Sequence, residues 1–460
     1  MQSLKNLFLL SILSLLFSCS WVGSYIKQVN NSKKEKTLNE IQFKRIECAI
    51  DEKQLTIFAP EMQNTLNDFL GYCLSSNSTS DILVKRCFLN LAIYQLLMRP
   101  DLITPYSETF VISQHQEKIS YFSSESSNNV ANGYWNTLWS LADAWNLSPW
   151  FTAEIQKWIT NPPVPIKVSK GLSQFLQEKK NLILNNQEKN YYKQLYARGD
   201  EIISEGEDLP FTGTLSFLLN NRKKMSKGFP EKFIDIQKLE LKKHTDKNLS
   251  YQCNFDIQNA LEGKVSTYSR PLESAVFAVK YGDFFISLAS YPSDKLQESV
   301  PNNLAYFFLE SPSGDQEHPR KLIDSKEKIT PKFCSLTSKN GVSSGSMLLA
   351  SYEGRDPGQY LASTIHYLKE FDFNEENFQK IMNSPRHLLL VHPLRLAFEV
   401  EKANEEQIQN ILKMDVPVFN EKYLGHLQYN GIINNKVVYI PDHRGPQDFC
   451  SVEKNQRIKK

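Results

Sequence analysis

The sequence has no Cys-X-X-Cys pair and no cysteine–histidine grouping at zinc spacing, which argues against a structural metal site. It has no repeat of fixed period, which excludes solenoids and propellers. No apolar run approaches the about 20 residues that a spanning helix needs, which argues against a polytopic membrane protein. Charge of one sign is also missing: 53 Lys and Arg stand against 51 Asp and Glu, for a formal charge of +2. The basic residues are mixed with acidic ones, so a nucleic-acid partner is not expected. Nothing calls for a cofactor. What is present is 41% hydrophobic and 12% aromatic residues over 460 positions, enough to bury a large core. At about 100–200 residues per domain the length allows about two to four domains.

The amino terminus reads as an address. Lys5 precedes an apolar run from Leu7 to Phe17, and a polar stretch from Gln28 to Lys36 follows. A charged start and a short apolar core are the marks of a secretory signal, and the polar stretch reads as a tether. Leu16-Phe17-Ser18-Cys19 resembles the lipobox of bacterial lipoproteins. The resemblance covers the first twenty residues. It implies cleavage before Cys19 and acylation of that cysteine, with Phe17 standing where a small or β-branched residue is usual. Several acyl chains suffice for stable anchoring, since each buried CH₂ contributes about 0.8 kcal/mol. Ser20 after the cysteine favours the outer membrane by the same resemblance. Export also suits the remaining six cysteines: Cys48, Cys73, Cys87, Cys253, Cys334 and Cys450. If all six pair, at least one bridge joins the two halves of the chain. Cys73 and Cys87 flank a polar loop and are placed to tie two helices, which leaves Cys48 for a long-range bridge.

The periodicity predicts an α+β protein: an α-helical N-terminal domain followed by an α+β domain with a mainly antiparallel sheet. The divisions are 1–18 signal, 19–40 tether, 41–240 helical domain and 251–460 α+β domain. Apolar stripes in 61–98 give two packing helices, stopped by Arg99-Pro100. Residues 113–130 are polar and Ser-rich. Five of the six Trp fall between Tyr134 and Trp158 in two helical stretches, the second opening at Ser148-Pro149. Residues 169–198 read as helical, with Gly199 as a cap. After Tyr251 come short runs rich in aromatic and β-branched residues: 275–279, 284–291, 304–309, 347–352, 387–392 and 394–400. Tyr281-Gly282-Asp283 reads as a hairpin turn, 360–371 and 405–414 as helices, and Asn430-Gly431 and Asn434-Asn435 as turns before a last strand at 437–440.

Candidate chemistry is sparse. Gly341-Val342-Ser343-Ser344-Gly345 matches the GxSxG pattern of a nucleophilic serine, but polar residues precede it and a strand is expected after it, whereas that motif needs a strand and then a helix. Asp442-His443-Arg444 follows the last strand and holds groups suited to acid–base work, against the simpler reading of a polar turn. Asp356-Pro357 reads as a helix cap and first turn, with an anion site at that helix start as the sharper alternative. His387 and His392 point to opposite faces of one strand and cannot chelate an ion as a pair. Asp315, Glu317 and His318 lie in a solvated loop. Trp135, Trp139, Trp145, Trp150 and Trp158 are the candidate binding surface, for glycan or an apolar partner, against the alternative of a core between two helices. The expectation is a lipid-anchored envelope protein that binds an envelope protein or glycan without catalysis. The alternative is an exported hydrolase with its site in the C-terminal domain.

Overall fold

A computed structural model describes the chain from residue 55 to 451, apart from 124–132, 186–195, 221–233, 265–274, 292–331, 339–344, 443–447 and shorter connecting pieces. The described elements begin with β1 (Leu55–Ala59), α1 (Leu66–Leu74), α2 (Ser80–Met98), β2 (Glu108–His115), β3 (Lys118–Ser123), α3 (Gly133–Ala144) and α4 (Ser148–Thr160). Next come α5 (Lys170–Glu178), α6 (Lys180–Asn185), β4 (Ala197–Arg198), β5 (Glu201–Ile202), β6 (Ile234–Asp235), β7 (Lys242–Thr245), β8 (Leu249–Cys253) and α7 (Ile257–Leu261). Then follow β9 (Ala275–Tyr281), β10 (Phe284–Tyr291), β11 (Lys332–Ser338), β12 (Gly345–Ser351), α8 (Pro357–Leu368) and α9 (Glu375–Asn383). The last are β13 (His387–Val391), β14 (Leu394–Phe398), α10 (Glu405–Leu412), β15 (Val418–Asn420), β16 (Leu427–Ile433), β17 (Lys436–Ile440) and β18 (Asp448–Ser451).

Alternation along β9 builds the architecture. Ala275, Phe277 and Val279 join the large core that contains α1 to α5, while Val276 and Ala278 point to the opposite face. On that face Val276, Ala289, Phe110, Ile112 and Tyr121 meet Phe333, Leu348 and Ala350 of a second sheet. The second sheet turns Cys253, Cys334, Leu336, Met347 and Leu349 toward Tyr360, Leu361 and Ile365 of α8. The result is four layers in the order helices, sheet, sheet, helices. Sheet one runs β18-β1-β9-β10-β2-β3-β6 and sheet two β17-β16-β12-β11-β8-β7, with antiparallel neighbours throughout. A small third sheet, β13-β14-β15, flanks α8 and α9. No described helix is long and apolar enough to cross a membrane.

The α+β class holds, and the expected strands at 275–279, 284–291, 347–352, 387–392, 394–400 and 437–440 are present within a residue or two, while 304–309 lies outside the described residues. Residues 41–240 contribute strands as well as helices, and β9 and β10 lie between β1 and β2, so one sheet draws on both sides of residue 250. The polar, Ser-rich residues 113–130 include the end of β2 and all of β3, whose alternate residues are buried between layers. Gly199 is not a helix cap: with φ +67° it makes the turn between β4 and β5. Asn430-Gly431 lies inside β16, held there by pairing on both sides with β12 and β17, and Asn434-Asn435 falls between β16 and β17.

Helix α2 is apolar on all sides because it is wrapped on all sides. From Phe88 to Met98 every side chain is buried, including Asn90, whose Oδ1 accepts a 2.7 Å hydrogen bond from Trp158 Nε1. The Cys73–Cys87 bridge ties α1 to α2 as expected, and Cys253–Cys334 joins directly opposed residues of β8 and β11. Cys19 and Cys48 lie outside the described residues, and Cys450 falls in β18, opposite Ile57.

Candidate active site

The two sheets end together. β9 and β11 begin, and β10 and β12 finish, at one edge of the sandwich, where Phe333 and Ala350 pack against Val276 and Ala289. Antiparallel register sets Lys332 opposite Ser351 there, and Ser290 opposite Ala275 in the other sheet. Asn254 fastens the edge by accepting from Phe333 N at 2.9 Å. Beyond β12 the backbone passes through Gly354 at φ +92°, a position that only glycine fits: a Cβ there would stand 2.6 Å from Tyr360 Cε2 and 3.2 Å from Leu424 O. That turn delivers Asp356 to the start of α8, where its Oδ1 caps the helix by accepting from Gln359 N at 2.9 Å.

The cap uses only half of the carboxylate. Asp356 is 1% exposed, and its Oδ2 has no hydrogen-bond partner among the described residues. Ser351, fully buried and on the same face of the second sheet as Met347 and Leu349, also holds a hydroxyl oxygen with no partner among the described residues. Gly358 lies close to both Asp356 and Lys332, since a Cβ built on it would stand 3.3 Å from Asp356 Oδ1 and 3.6 Å from Lys332 Cγ. Burial pushes the Asp356 carboxyl up to about 6, against the opposing pull of the helix amides and Lys332. Burial likewise lowers the Lys332 ammonium below its ordinary range, with Asp356 opposing. A hydroxyl, an amine with weakened affinity for its proton and a carboxyl that titrates near neutrality are the parts of nucleophilic and general acid–base catalysis.

The residues expected from sequence fall elsewhere. Trp135, Trp139 and Trp158 are buried in the helical core, and Trp139 packs edge-on to Phe151 at 4.8 Å, so these three offer no binding surface. Their helical spacing turns them inward between α3, α4 and α2. Trp145 and Trp150 are half-buried, with Lys85 and Arg86 over their rings at 5.9 and 5.1 Å. Asp442 is taken up structurally. Its Oδ2 accepts from Arg386 Nη2 at 2.6 Å and from Leu427 N at 2.9 Å, and Arg386 Nη1 donates to Gly425 O at 2.5 Å. Asp442 Oδ2 is thus held by the protein's own donors, Arg386 and Leu427 N. His443, Arg444, Ser343, His392, Asp315, Glu317 and His318 lie outside the described residues. Ser343 falls between β11 and β12, an antiparallel pair, where the GxSxG motif requires a helix to follow. No cluster of metal-ligating residues occurs among the described residues.

Ser351 and Lys332 escaped sequence reading because cross-strand register, which no local spacing reveals, makes them neighbours. Asp356 was legible as a cap but not as a buried acid.

The sequence matches no protein-family model and no curated protein sequence. The fold does have counterparts. The structure of LmbA2991HD superposes with a TM-score of 0.54 at 7% identity, covering 88% of this chain and 99% of that one. The crystal structure of cephalosporin acylase from Bacillus halodurans gives a TM-score of 0.50 at 10% identity, covering 87% of this chain and 96% of that one. The layered arrangement is therefore one that a hydrolase also adopts.

Proposed function

We propose that this chain is an exported hydrolase that cleaves an acyl bond, an amide by preference, at the sandwich edge carrying Lys332, Ser351 and Asp356, and that lipid on Cys19 holds it to the cell envelope. One observation carries the reading: its fold is shared with an acylase along nearly the whole of both chains. In the proposed reaction Ser351 Oγ attacks the carbonyl carbon while the Lys332 amine takes the hydroxyl proton. That proton passes to the departing amine, and water then releases the acyl group from Ser351. Asp356, poised near neutrality, tunes the charge on Lys332. Two disulfides suit an oxidising compartment and so support export.

The test uses full-length protein with disulfides intact, assayed on N-acyl p-nitroanilides of varied acyl length. Turnover should fall at least about a hundredfold in Ser351→Ala and in Lys332→Met. Equal turnover in both variants, or none in the wild type across the series, refutes the assignment. Anchoring is read separately: labelled palmitate should be incorporated by the wild type and not by Cys19→Ala, which should leave the membrane fraction.

A further inference from the structure

The opposite end of α8, about 18 Å from Asp356 by helical rise, borders a second feature. Between α9, α10 and the small sheet lies a cavity of about 460 Å³, within the usual range for small-molecule sites. Ile381, Leu396, Phe398 and Ile411 make its walls largely apolar. Met414, 59% exposed, also lines it, so the cavity reaches the surface beside the end of α10. No side chain of α10 is fully buried, although its apolar residue Ile411 faces this space.

The polar groups narrow the occupant. Lys380 is at the wall, but its ammonium is already paired with Glu376 of the same helix at 2.8 Å. His387 also lines the cavity, and burial, with His366 adding repulsion, favours its neutral form. Of the other polar lining residues, Ser384 Oγ already donates to Lys380 O at 2.8 Å, Gln407 is held in the capping box with Asn404, and Asn410 is exposed at the rim, beside Asn377. The charged group at the wall is already paired, and the buried imidazole of His387 is the polar group placed to meet an occupant's oxygen.

We infer that this cavity binds a neutral, mainly apolar small molecule carrying a single hydroxyl or carbonyl oxygen, which hydrogen-bonds to His387. The inference does not depend on the hydrolase reading, because the two sites share no side chain.

The test is saturable fluorescence of N-phenyl-1-naphthylamine with the full-length protein, followed by displacement with 1-decanol, decanoate and decylammonium. Decanol should displace the probe at concentrations at least tenfold below either ion. Leu396→Trp and Ile411→Trp, each of which fills the space, should abolish probe binding while the far-ultraviolet circular dichroism stays unchanged. Ile411 is only half-buried, so that variant tests the site even if Leu396→Trp does not fold. His387→Leu should weaken decanol about five- to tenfold, the worth of one hydrogen bond. Absence of saturable fluorescence, probe binding unaltered in Ile411→Trp, or decanoate as effective as decanol overturns the inference.

Discussion

Replacing Asp356 by Asn separates what the carboxylate costs from what it does. Asn is nearly the same size and caps helices as well as Asp, so the hydrogen bond to Gln359 N survives while the buried charge is removed. The carboxyl titrates at about 6 when folded, against 3.8 ordinarily. Between those values the folded state holds a proton that the unfolded chain has released, so this group's contribution to stability falls as pH rises from about 4 to about 6. Above that window the buried carboxylate costs about 3 kcal/mol at most, from 1.36 kcal/mol per pKa unit. Asp356→Asn should therefore be about 1–3 kcal/mol more stable than wild type at pH 7.5 and no more stable at pH 4. The lower bound allows for Lys332, which loses its counter-charge. Urea unfolding at the two pH values, with disulfides oxidised, measures the difference. A variant less stable at pH 7.5, or a gain equal at both pH values, would refute the account of a desolvated acid. If the proposed function holds, the stabilised variant should also lose most of its amidase activity.

Other features give simpler expectations. Cys73→Ser together with Cys87→Ser opens a bridge between residues 14 apart and should cost about 3 kcal/mol in urea unfolding, matching the wild type under reductant. Arg386→Met leaves Asp442 charged and buried and should cost about 3–5 kcal/mol, whereas the double variant Arg386→Met, Asp442→Leu should recover most of that loss in a thermal melt. Gly354→Ala meets both a positive φ and Tyr360, and should destabilise by more than about 1 kcal/mol in the same melt.

The central strands β9 and β10 were legible because burial on both faces leaves a nearly continuous apolar run, which a single sequence displays openly. Strands β2 and β3 were not. Their runs carry Thr109, Ser113, Gln114 and Ser120, and Thr109 and Gln114 are buried, so polar residues that a strand partner or facing layer shelters hide the apolar run that marks a strand. Distant pairing also overrode local chemistry at Asn430-Gly431, a turn dipeptide that two neighbouring strands hold extended. The candidate site was hidden for a related reason. Lys332, Ser351 and Asp356 come from the start of one strand, the end of the next and the cap of the following helix, and only the sheet register brings them together.

The same C-terminal region supplies the comparison that gives the site its weight. Around Arg386 the chain buries a guanidinium and two carboxylates, and the bonds run in every direction: Asp442 takes two, Arg386 gives two through its side chain, and Glu399 accepts from Arg386 N at 3.0 Å and Leu424 N at 3.3 Å. This sequence can therefore satisfy buried charge where buried charge is structural. On the face toward α8 it leaves Asp356 Oδ2 and Ser351 Oγ without partners among the described residues, near Lys332, whose ammonium burial disfavours. Each unmade bond costs about 1–3 kcal/mol. Under the proposed function, an arriving substrate rather than the protein completes the hydrogen bonds that Asp356 and Ser351 lack among the described residues.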